Sequence, residues 1–145
     1  MTNHIDSVIA EALARLTAAL PSALVVKDDD WPRRPPVDGW VNLHEGDMDG
    51  GPDIDLSPVR YNWVWPIDVE VVACPANPTM RHEALADLIT AVSGVVEADR
   101  FLGGLVTYLD LEPGNTEDIQ IESGAQGRGG RLTLLAQFST TSPSG

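Results

Sequence analysis

A chain of 145 residues, 43% of them hydrophobic, fits one domain with a real core and needs no metal or disulfide to fold. Its net charge of −13, from 22 acidic and 9 basic residues with Lys27 the single lysine, excludes a surface that grips nucleic-acid phosphates. It does not exclude a wall past which DNA slides unheld, because like charge keeps a duplex off such a wall. Cys74 is the single cysteine, so no intramolecular disulfide forms and a reducing compartment fits. No apolar run reaches the roughly 18 residues of a membrane span. The segment MTNHIDSV lacks a basic stretch followed by an apolar one, so the expectation is a soluble protein made in the cytoplasm.

Residues 3–20 predict an amphipathic helix, with Ile5, Val8, Ile9, Ala12, Leu13, Leu16 and Leu20 on one face. Asn3 caps it, Asp6 suits its positive end, and Pro21 stops it. ALVVK (23–27) reads as a short strand. DDDWPRRPP (28–36) is irregular, because its prolines remove donors and its adjacent carboxylates repel. Trp31 in that segment is a candidate anchor for a partner. Residues 40–44 form a second strand, with Val41 and Leu43 opposite Trp40 and Asn42.

An acidic Gly/Pro loop follows from Glu45 to Pro58, read either as an interaction element or as disordered. Its residues Glu45, Asp47, Asp49, Gly50, Asp53 and Asp55 fall on a calcium-loop template. The template then fails: its terminal bidentate Glu is Leu56, Pro52 interrupts it, and strands flank it. What remains is a solvated acidic loop, or weak divalent-cation binding through Glu45, Asp47, Asp49, Asp53 and Asp55 that would screen repulsion between subunits.

YNWVWPIDVEVVAC (61–74) carries the clearest strand signal. Tyr61, Trp63, Trp65, Ile67, Val69 and Val71 recur at every second position. The run exceeds the usual strand of about five or six residues and suits contacts with neighbouring subunits. Trp63 and Trp65 point the same way and are expected under the helices. Cys74 closes the strand as a small hydrophobe.

Asn77 and Pro78 then mark a helix start, as cap and first position. Leu85, Leu88, Ile89, Val92, Val95 and Val96 form its buried stripe, with Arg81, Glu83, Asp87 and Glu97 expected on the other side. The helix ends near Ala98, and Gly103–Gly104 turn the chain back. Residues 105–112 and 119–123 read as separate strands, 124–130 (GAQGRGG) as a turn, and 131–140 as the last strand with Leu132, Leu134, Ala136 and Phe138 inward. The domain is 1–140, and 141–145 is a disordered tail. The fold class is α+β: a mostly antiparallel or mixed sheet with two helices on one face.

Motifs for chemistry are incomplete. His82–Glu83 lacks the second histidine of HExxH, because position 86 is Ala; Ser93–Gly94 lacks the nucleophile-elbow frame. GAQGRGGR lacks the phosphate-loop ending, and a strand follows it. No catalytic residue and no cofactor follow from the sequence.

Three features cover most of residues 5–140: a helix running into a Pro-rich crossing (AALPSALVVKDDDWPRRPP), an acidic strand–loop–strand (VNLHEGDMDGG to VRYNWVWPIDVEVVA), and a helix, turn and closing hairpin (RHEALADLITAVSGVVEADRFLGGL to GGRLTLLAQFSTT). Together they resemble the tail terminators of long-tailed bacteriophages, the family of the lambda minor tail protein U. The resemblance implies a hexameric ring in the virion tail, assembled in the host bacterial cytoplasm. Such a ring caps the tail tube protein, stops its polymerisation, meets the head–tail connector or completion protein, and lets DNA through.

Copies this acidic need opposite charges at their contacts, or a divalent cation between them. Arg33, Arg34, Arg60, Arg128 and Arg131 are the candidate partners for Glu45, Asp47, Asp49 and the other carboxylates up to residue 55. Three other readings stay open. One is a head–tail joining or neck protein of the same fold. Another is a small metal-dependent enzyme using the acidic loop, which requires a bound ion and a concave pocket. The last is an intracellular adaptor pairing through its long strand.

Overall fold

The computed structural model describes residues 3–28, 38–48, 50–75, 77–120 and 126–143. Its elements run α1 (His4–Ala19), β1 (Leu24–Lys27), β2 (Trp40–Glu45), β3 (Asp53–Leu56), β4 (Val59–Ala73), α2 (Pro78–Ala98), a 3-10 turn (Leu102–Gly104), β5 (Tyr108–Gln120) and β6 (Gln126–Thr140). The strands form one sheet in the order β1-β2-β4-β6-β5, with β3 pairing β4 beyond the end of β2. β1 runs parallel to β2 and every other pairing is antiparallel, so the fold is α+β with a mixed, mostly antiparallel sheet.

Both helices cover one face. α1 is capped by Asn3, whose side chain accepts from the Asp6 amide at 3.1 Å, and buries Ile5, Val8, Ile9, Ala12 and Leu16. Asn77 accepts from the Thr79 amide (2.9 Å) and the Met80 amide (3.4 Å) at the start of α2. From α2, Leu85, Leu88, Val92 and Val96 pack against Ile67, Val69 and Val71 of β4 and Leu132, Leu134 and Ala136 of β6. Trp63 lies in the same layer, its indole Nε1 donating to Thr140 Oγ1 at 2.9 Å. Trp65 is half-buried beside it, with ring centroids 5.0 Å apart, so both indoles pack on the helix side as the alternation predicts.

Four expectations need correction. Residues 53–58 are not loop: Asp53–Leu56 pair with Val59–Asn62 in a hairpin turned by Ser57–Pro58, because DIDL alternates and finds the start of β4 as its partner. Residues 108–120 are one strand, not two, because a bulge between Pro113 and Thr116 absorbs the Pro–Gly–Asn stretch without ending the pairing with β6. The expected turn at 124–130 is strand from Gln126 onward, with Gly129 and Gly130 opposite Val72 and Val71. A Cβ on Gly130 would stand 3.2 Å from Thr116 Cγ2 and 3.4 Å from Val71 Cγ2, so glycine lets β5 and β4 close over β6 there. Gly124 and Ala125 lie outside the described residues.

Arg81 is the fourth correction: it is 7% exposed rather than on the solvent side of α2. It stands four residues before Leu85, so its stem extends the apolar stripe while Nη1 donates to the Pro75 carbonyl at 3.3 Å.

Candidate interaction surfaces

The β4–β6 and β2–β4 registers place Asn42, His44, Asp68, Glu70, Arg131 and Thr133 together on the face away from the helices. Glu70, 9% exposed, is their centre. Its Oε1 accepts from His44 Nε2 at 3.0 Å and Asn42 Nδ2 at 3.5 Å, and Arg131 Nη2 lies 3.7 Å from its Oε2. Asp68 Oδ2 stands 3.9 Å from His44 Nδ1. A cavity of about 490 Å³ opens beside them, bounded by Glu70, Asn115, Glu117, Arg131 and Thr133 over a glycine floor. The same period-2 rule that marks the apolar faces of β2 and β4 marks NLH and DVE on the opposite face, a signal the sequence reading passed over.

The second surface is the β3–β4 hairpin. Its cross-strand pairs put Ile54, Leu56, Val59 and Tyr61 on one face and Asp53, Asp55, Arg60 and Asn62 on the other. Ile54 is 54% exposed, Leu56 80% and Val59 48%. Neither helix makes a substantial contact with β3, so among the described residues this apolar face continues the core outward without cover. The polar face is tied down: Asn62 Nδ2 donates to Asp55 Oδ2 at 3.0 Å, and Ser139 Oγ donates to Asn62 Oδ1 at 2.5 Å. Reading 45–58 as loop hid this patch, although the alternation of Ile54 and Leu56 was its signal.

Among the described residues, the predicted interface residues do not gather in one place. Trp31, Arg33, Arg34 and Asp49 lie outside the described residues. Glu45 is exposed at the end of β2, Asp47 is exposed beyond it, and Asp53 and Asp55 are held in β3. Arg60 pairs in register with Asp55. Arg128 is engaged within its own hairpin, donating to Asp118 Oδ1 at 3.2 Å and Thr116 Oγ1 at 3.0 Å.

Among the described residues, no group of three His, Cys, Asp or Glu side chains is placed to hold a metal ion. Ser93 sits within α2, and His82 is exposed in its first turns. His4 Nε2 lies 2.6 Å from the Leu105 carbonyl, joining α1 to the 3-10 turn region. Cys74 directly follows β4; burial pushes its thiol up, with the Arg81 charge acting the other way, which leaves it protonated and a weak nucleophile at neutral pH. No helix among the described residues is long and apolar enough to cross a membrane.

No family model and no curated protein matches this chain. Among solved structures, a chain of the virion of a native gene transfer agent particle is similar at 18% identity and a TM-score of 0.40, with 86% of this chain and 84% of that one covered. The sheath/tube terminator of an extracellular contractile injection system, in its extended state, is similar at 12% identity and a TM-score of 0.33. There 92% of this chain is covered but 57% of the other. Both are distant likenesses of outline that settle neither fold nor role.

Proposed function

We propose that this chain is a non-enzymatic structural subunit of a phage-type tail, a terminator that assembles as a hexameric ring in the virion. The ring caps the tail tube, ends its polymerisation and presents the joint to the head–tail connector. The observation that carries the reading is the 15-residue β4, which runs from under the helices into a hairpin with Ile54, Leu56 and Val59 in solvent. Exposed apolar surface continuous with a core serves contact with another protein. The element order supports the resemblance seen in the sequence, and a net charge of −13 suits a bore that DNA crosses unheld.

Ring contacts are the proposed place of Trp31, with Arg33, Arg34, Arg60, Arg128 and Arg131 facing the 45–55 carboxylates of the next copy. Arg128 and Arg131 would then exchange or share their partners within the chain. Magnesium would relieve the repulsion that remains. Light scattering at several concentrations, with and without millimolar magnesium, tests the reading. A discrete six-subunit species, formed alone or driven by magnesium, is the expected result; a stable dimer under all conditions would defeat it. Charge reversal at Arg33 and Arg34 that left assembly intact would remove the proposed pairing.

A further inference from the structure

The cavity beside Glu70 lies over a dip in β6. Gly129, Arg131 and Thr133 share the face away from the helices, and glycine gives the dip its floor. The bulge between Pro113 and Thr116 widens it, because Arg131 has no register partner in β5. Two carboxylates line it from opposite sides: Glu70 of β4, in register with Arg131, and Glu117 of β5, in register with Gly129. Strand spacing and rise put their Cα atoms roughly 12 Å apart across β6.

Glu70 is short of donors. It is 9% exposed, and its Oε1 takes both hydrogen bonds, from His44 at 3.0 Å and Asn42 at 3.5 Å. Among the described residues Oε2 accepts none, since the Arg131 guanidinium stands 3.7 Å away on a side chain 62% exposed. A carboxylate this buried is costly until both oxygens are satisfied, and a ligand N–H on Oε2 would complete the set.

The lining also sorts ligands. Two carboxylates against one guanidinium, on a chain of net charge −13, turn away anions. Among the described residues no three His, Cys, Asp or Glu side chains are placed to hold a metal ion. Two separated carboxylates with glycine backbone between them match a flexible chain carrying a cationic donor at each end.

We infer that this cavity binds a small aliphatic diamine, with one ammonium on Glu70 Oε2, the other on Glu117, and the methylenes over Gly129. Arg131, the single cation among the described lining residues, opposes the ligand and limits its affinity. The site lies within one chain, so it goes beyond the ring reading and stands apart from it.

The test titrates the full chain with butanediamine, butylamine and butanediol, followed by calorimetry and amide NMR shifts. Butanediamine should bind at one site and shift residues 70, 115–117 and 129–133. Butylamine should bind about tenfold more weakly, as loss of one charged hydrogen bond predicts, and butanediol should not bind. Glu117→Gln should bring butanediamine down to the butylamine level and leave butylamine close to its wild-type value. Arg131→Met should tighten both amines. Both side chains are exposed, so a wild-type melting temperature confirms folding. Glu83→Gln, exposed on α2, controls for lowered net charge and should change neither amine. Equal affinity for the two amines, shifts spread over the acidic surface, an equal loss with Glu83→Gln, or weaker binding by Arg131→Met would overturn the inference. So would butanediamine that fails to bind at millimolar concentration, whether or not magnesium shifts the same amides. Native mass judges the ring reading separately, since the titration reads out on a single chain.

Discussion

Alanine at Gly114 should pry β5 from β6. Gly114 sits in the bulge between Pro113 and Thr116, and a Cβ there would overlap the Arg131 carbonyl oxygen and stand 2.9 Å from its carbonyl carbon. Both obstacles are main-chain atoms, so no rotamer change relieves the overlap, and the strands must part by on the order of 1 Å to reach ordinary contact distance. Overpacking of this kind costs about 1–3 kcal/mol. Loss of one or two ladder hydrogen bonds beside the bulge adds about 0.5–1.5 kcal/mol each. The sum, about 1.5–6 kcal/mol, corresponds to a melting temperature lower by roughly 5–25 °C in a domain of this size. Thermal denaturation and amide hydrogen exchange measure it, with protection lost first at 116–118 and 127–130. Gly51→Ala, where nothing lies within 4 Å of the added carbon, serves as the neutral control. A Gly114→Ala protein with wild-type melting and wild-type exchange in both strands would refute the reasoning.

Gly94 lies inside α2 with open space around its Cβ direction, so Gly94→Ala should stabilise by about 0.5–1 kcal/mol, read by urea unfolding. Asn77→Ala removes the acceptor for two amides at the start of α2 and should cost about 1 kcal/mol in the same assay. The amides of Gly103 and Phe101, then Arg15, hold the Asp99 carboxyl below its ordinary value. A depressed folded pKa means that this stability is present above the unfolded pKa, near pH 4, and is lost as pH falls through the folded one. Melts taken from about pH 6 down to pH 2 should therefore decline less steeply for Asp99→Asn than for wild type. Parallel curves would show that this clasp contributes nothing.

What the sequence determined alone was local. Asn3 and Pro21 bound the first helix, Asn77 and Pro78 start the second, and alternation in 61–73 and 132–138 marks the helix-facing sides of β4 and β6, because caps and periodicity act within a few residues. The tertiary structure decided the rest. It joined two expected strands into β5, since a bulge is visible only against the partner it disrupts. It drew Asp53–Leu56 out of an apparent loop, and turned GRGG from a turn into a strand packed under Val71 and Thr116. It also buried Arg81 and brought His44 to Glu70 across 26 residues of chain. Each of these depends on which distant backbone supplies the hydrogen bonds, and a strand's partner is set by the packing of the whole sheet, not by the residues beside it in sequence.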